Sequence, residues 1–125
     1  MRFSSELAKL DCAVALERLG GDEELLREVA SLFLDEYPML MKEIQTAVEA
    51  RDAETLERAA HSMKGSVSNF GADGVYQAAA ALEQMGRAGD FTVLKSYIDN
   101  LAGALKDIHP ALVVLAQPQM AGDGQ

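Results

Sequence analysis

The sequence predicts an all-α fold, an antiparallel four-helix bundle with a short additional N-terminal helix packed across it. Two observations carry that prediction. Apolar residues recur at helical spacing through four long stretches, while strand-type alternation is hard to find anywhere. Aspartates and glycines fall at the joints, where helices start and stop. A chain of 125 residues, 49% apolar and 25% charged, has the length and composition of one globular domain. It buries roughly two-thirds of the surface its unfolded form exposes, so its core needs no metal or disulfide.

The first helix is expected over 11–19, with Asp11 as N-cap and Gly20-Gly21 as the stop. Asp22 caps the second. Its apolar stripe begins Leu25, Leu26, Val29, Leu32 and Phe33, and resumes beyond Pro38 with Leu40, Met41, Ile44 and Val48. One long helix over 22–50, kinked near Pro38, is the reading; two helices with a tight joint are the alternative. Asp52 caps the third helix, whose Ala53, Leu56, Ala60, Met63 and Val67 follow the spacing of a bundle helix, and Gly71 ends it. The fourth runs from about Asp73 to Met85, rich in alanine, with the stretch 86–89 as its end. Asp90 is expected to cap a fifth helix carrying Val93, Leu94, Tyr97, Ile98, Leu101, Leu105 and Ile108, kinked or ended by Pro110. Residues 1–10 form a leading segment, 11–116 the bundle and 117–125 a disordered tail.

Composition also excludes functions. The net charge of −9 argues against nucleic acid and against an anionic membrane surface. No apolar run approaches the roughly 20 residues that span a bilayer, and no secretory signal is visible, so a cytoplasmic protein is expected. The single cysteine, Cys12, closes no internal disulfide, and neither His61 nor His109 sits in a metal-ligand pattern. There is no Walker-type loop, and no Ser or Cys has a matched His and acid.

One constellation carries chemistry. On a helical wheel at roughly 100° per residue, His61 points about 120° from the apolar centre of the third helix, toward solvent. Glu57, Lys64, Gly65 and Ser68 share its side of the helix. A glycine inside a helix costs about 1 kcal/mol relative to alanine. Its place one turn from His61 clears the imidazole for a bulky partner group. An exposed imidazole, a nearby cation and open space suit a phosphoryl group carried on a ring nitrogen.

The stretch His61-Ser62-Met63-Lys64-Gly65-Ser66, followed by Asn69-Phe70-Gly71-Ala72, resembles the H-x-L-K-G-[SA]-x-x-x-x-G-A signature of histidine phosphotransfer (HPt) domains. The resemblance extends over 11–105, through Gly20-Gly21-Asp22, Phe33 and Pro38 upstream and Leu82-Glu83, Gly86-Arg87 and Asp90 downstream. Met63 stands where the family usually has Leu, a volume-conserving swap. Glu83 stands where several members carry Gln near the phosphohistidine; the acid either weakens phosphate binding or faces elsewhere.

What the resemblance implies is a phosphoryl carrier of multistep two-component phosphorelays and not an enzyme. His61, through Nε2, would take the group from a phospho-aspartate on a receiver domain and pass it to another. The Mg²⁺ and catalytic residues belong to the receiver, and the chain itself needs no cofactor. Lys64 offsets phosphate charge, Gly65 admits the receiver's loops, and Arg87 is a candidate second cation. Ser66 is expected to bond backbone within its helix. Receiver domains or a hybrid sensor kinase are the expected partners, docking on the exposed flanks of the second and third helices, with Ala59, Ser62 and Phe70 within reach; Phe70 is read as core first. A monomer is expected, because no extra exposed apolar stripe is visible. The alternative function is an adaptor or inhibitor that binds a kinase or receiver without carrying phosphate.

Overall fold

Aspartate side chains start three of the five helices in the computed structural model, which describes residues 10–92 and 94–117. Asp11 accepts from Val14 N–H ahead of α1 (Cys12–Arg18), and Asp22 from Leu25 N–H ahead of α2 (Glu23–Ala50). Asp52 accepts from Thr55 N–H ahead of α3 (Ala53–Ser68). In each case a carboxylate satisfies a backbone donor that has no partner within its own helix. α4 spans Asp73–Ala88 and α5 Leu94–Ala116.

Short joints force α2 to α5 to run antiparallel in succession, and the packing closes them into a ring: α2 on α3, α3 on α4, α4 on α5, and α5 back on α2. α1 touches α2 and is tied across the end of the bundle by the Asp11 N–H donating to the Phe70 carbonyl at 2.7 Å. Gly71, beside that bond, has φ 63, and a Cβ there would fall 2.5 Å from the Asp11 Cβ. Glycine meets both demands. The core is one cluster running through Phe33, Ile44, Leu56, Met63, Val67, Phe70, Leu82, Leu101, Leu105 and Leu112. Phe70 is wholly buried, its ring 5.8 Å from that of Phe33, so it is core and not part of any docking patch. Ala59, 3% exposed, leaves that patch for the same reason: it faces the bundle interior.

Both prolines inside helices sit on exposed positions, where a proline ring meets no neighbouring helix. α2 therefore runs unbroken through Pro38, and α5 continues past Pro110 to Ala116. Two boundaries differ from the sequence reading. Asp90 closes a turn onto Thr92 ahead of α5 instead of capping the helix. α4 runs on to Ala88, with Gly89 as its left-handed end, so Gly86 lies inside the helix. The leading segment and the tail fall outside the described residues, apart from Leu10 and Gln117.

Candidate functional site

The site forms where α3 and α4 lie closest, and a glycine sets that closeness. A Cβ on Gly86 would fall 2.6 Å from the Glu57 nitrogen, 2.9 Å from its Cα and 3.0 Å from the Ala53 carbonyl oxygen. Only a residue without a side chain lets the two backbones approach so near. Glu83 and Arg87, on either side of Gly86 in α4, are thereby brought against the face of α3 that carries Glu57, His61 and Lys64.

Glu83 is the centre of the arrangement. Only 5% exposed, it is the one buried charged residue among those described. Its Oε1 lies 2.6 Å from Lys64 Nζ, and its Oε2 takes 2.8 Å and 3.2 Å contacts from His61 Nδ1 and Arg87 Nη2. Arg87 Nε also donates to Glu57 Oε2 at 3.1 Å. A buried carboxylate is tolerable when charged donors surround it. The Lys64 hydrogen bond, with help from His61, outweighs burial and holds the Glu83 carboxyl below its ordinary value. The same bond holds the Lys64 ammonium above its own. Lys64 also lies 5.8 Å from the Tyr76 ring centroid, a cation–π contact.

The consequence for His61 is a fixed tautomer. A carboxylate accepts only, so Nδ1 must carry the proton it donates to Glu83. In the neutral ring Nε2 then carries the lone pair, on a side chain that is 67% exposed. A ring held at one nitrogen by a buried acid and open at the other is an oriented nucleophile. The space beside it is open too, for a Cβ on Gly65 meets nothing within 4 Å.

The other expected residues divide. Glu57 and Arg87 join the network, though Arg87 braces Glu83 and Glu57 and does not stand as a free cation. Ser68 turns back to donate to the Gly65 carbonyl at 2.7 Å. Ser66 does not bond backbone in its own helix; it donates to Glu36 Oε1 on α2 at 2.9 Å. Ser62, one turn before Ser66, is exposed on that same α2 flank. Of the two expectations for Glu83, the one in which it faces elsewhere is overturned. Sequence reasoning also missed Gly86 as a contact. The available signal was that Gly86 continues the buried series Val75, Ala79 and Leu82 of α4, and so falls on an interior face.

Among the described residues no group of three His, Cys, Asp or Glu side chains is placed to hold a metal ion, and no helix is long and apolar enough to cross a membrane. No individual curated protein or solved structure matches the chain. The family model of the Hpt domain matches residues 28–112, from the first turns of α2 nearly to the end of α5. The all-helical bundle, the outward histidine of its third helix and that match over more than half the chain agree: the chain belongs to the Hpt domain family, with a phosphotransfer role in two-component signalling.

Proposed function

We propose that the chain relays a phosphoryl group between receiver-domain aspartates through Nε2 of His61. The observation that carries this reading is the His61 Nδ1–Glu83 hydrogen bond, which orients the ring with Nε2 pointing away from the acid on an exposed side chain. In the uptake step the Nε2 lone pair attacks phosphorus as the acyl phosphate P–O bond breaks, and the electron pair leaves with the receiver's carboxylate. The Nδ1 proton stays on the ring, so the product is a phosphoimidazolium whose positive charge faces the Glu83 carboxylate. The return step reverses this, with a neutral imidazole leaving group. Transition-state charge on the phosphoryl oxygens is met by the receiver's own Mg²⁺ and cation, which this chain does not supply. Lys64, one turn from His61, is paired with Glu83 at 2.6 Å and so supports the acid that holds the ring.

The test is transfer itself. Purified chain is mixed with radiolabelled phospho-receivers and Mg²⁺, beside a His61→Gln control. Acid-labile, base-stable label on the wild type alone is the expected result. Absence of label from every receiver, with His61→Gln still binding one of them, overturns the relay and leaves a non-phosphorylated adaptor.

A further inference from the structure

The two cations that the sequence offers to a phosphoryl group are both already committed. Lys64 Nζ lies 2.6 Å from Glu83 Oε1, and Arg87 divides its guanidinium between Glu57 and Glu83 at 3.1 Å and 3.2 Å. Arg58 is exposed, and among the described residues its side chain makes one long hydrogen bond, Nη2 to Thr55 Oγ1 at 3.5 Å, and no ion pair. Its charge falls weakly on Asp52, whose carboxyl is held low chiefly by Thr55. Position favours Arg58 as well. At about 100° per residue, Glu57 and Lys64 lie about 40° and 60° from His61 toward α4, where their partners are. Gly65 and Arg58 lie at the same angles on the other side. The Glu83 bond draws Nδ1 toward α4, so Nε2 points to the side that Arg58 and Gly65 share. Residues three apart on a helix have Cβ atoms about 5–6 Å apart, which puts His61 within reach of the Arg58 guanidinium. Both line one cleft of about 410 Å³, with Glu54, Glu57, Glu83 and Arg87.

We propose that Arg58 binds the phosphoryl group while His61 carries it, and that Lys64 and Arg87 act on that group only through Glu83. The proposal rests on the phosphocarrier reading above and names its anion-binding residue. The receiver's Mg²⁺ and cation leave with the receiver, so between uptake and return the chain meets the phosphoryl charge with its own groups. That charge is about −2 near neutral pH. The cleft it enters already holds three carboxylates against two guanidinium groups, and the Arg87 guanidinium is bonded to two of those acids. Of the three cations, Arg58 can turn its paired N–H donors to the phosphoryl oxygens without giving up a carboxylate. All it surrenders is the 3.5 Å bond to Thr55.

The experiment uses full chain, a receiver that labels the wild type, and phosphoramidate as a receiver-free donor. With phosphoramidate the donor P–N bond breaks, ammonia leaves with the electron pair, and the P–Nε2 bond forms. Arg58→Ala is expected to shift the exchange equilibrium toward the phospho-receiver about 5-fold, the worth of an exposed charge pair. It should also move the ³¹P resonance of the phosphohistidine, while the melting temperature and the ¹⁵N tautomer pattern of unphosphorylated His61 stay as in wild type. Arg58→Lys keeps the charge but loses the fork, so it should fall between the two. Lys64→Ala should instead disturb the tautomer pattern, because it weakens the acid that holds the ring. In Arg58→Ala, an equilibrium within about 1.5-fold of wild type with an unmoved ³¹P resonance overturns the proposal and leaves the relay intact. A tautomer change in Arg58→Ala equal to that in Lys64→Ala makes Arg58 a support of the Glu83 network and overturns the proposal equally. A wild type that no receiver labels removes the phosphocarrier reading and this proposal with it.

Discussion

Replacing Gly86 with alanine sets two effects of known sign against each other. From sequence alone the change stabilises, because alanine in a helix interior is favoured over glycine by about 1 kcal/mol. The packing reverses that expectation. The new methyl would lie 2.6 Å from the Glu57 nitrogen and 2.9 Å from its Cα, distances that no rotamer change relieves because the opposing atoms are backbone. α3 and α4 must separate by several tenths of an ångström along their most extensive contact. Overpacking of this kind costs about 1–3 kcal/mol and more where backbones meet, so the steric term wins and a net loss of about 2 kcal/mol is expected. For a domain of this size that lowers the melting temperature by about 6–10 °C. Thermal unfolding followed by circular dichroism measures it. The chemistry should suffer too, since Glu83 and Arg87 move away from α3 with Gly86, and phosphoryl uptake should fall in the fraction that remains folded. A Gly86→Ala chain melting at or above wild type refutes the argument that this glycine sets the interhelical distance.

Gly65→Ala should behave in the opposite way: with open space around its Cβ, the chain gains up to about 1 kcal/mol in the same melt, while a methyl beside His61 slows transfer from the phospho-receiver. For Glu83→Leu, two-dimensional ¹⁵N NMR of the imidazole should show loss of the single Nδ1–H tautomer expected of wild type, with phosphoryl uptake reduced about 10-fold or more; an unchanged tautomer would refute the role given to the Glu83 bond. Stability should also follow pH in a defined way. Glu83 is held below its ordinary carboxyl value of 4.5, so its contribution is complete above that pH and is lost as pH falls through the lower folded-state value. Lys64 is held above its ordinary 10.5, so its share is complete below that pH and is lost as pH rises through the higher folded-state value. Melts across pH should therefore show the acid-side loss in wild type and a smaller one in Glu83→Gln.

Helix existence was legible because it rests on local signals. Asp11, Asp22 and Asp52 cap the helices expected of them, and the apolar spacing of α3 places Leu56, Ala60, Met63 and Val67 in the core. The outward direction of His61 follows from the same periodicity. What was not legible depends on the neighbouring helix. Gly86 reads as a helix end when α4 is considered alone, and becomes an interior contact only once α3 lies across it. Leu25 and Leu32 read as core because apolar residues on α2 outnumber the positions one face can bury, and only the packing decides which stay in water. Ser66 reads as a helix-backbone donor until Glu36 of α2 is brought within 2.9 Å.

Glu83 shows why a stability argument alone misreads this site. A buried carboxylate needs partners to be tolerated, and the chain gives it three: Lys64, His61 and Arg87. Replacing such a group and its partners with well-packed apolar residues is often neutral or stabilising, so folding does not require an acid here. Two of the three partners, however, keep access to solvent, with Arg87 54% and His61 67% exposed. The acid is thus fixed in the interior and its donors reach it from the rim. That asymmetry makes Glu83 an anchor for the imidazole. In the proposed relay it would set the tautomer of the neutral ring, hold the ring plane and meet the charge that a phosphoryl group on Nε2 would bring, all without occupying the space beside the ring. Gly65 keeps that space open on one side and Gly86 draws the acid close on the other, so two glycines of one bundle serve opposite needs, room for a partner and contact between helices.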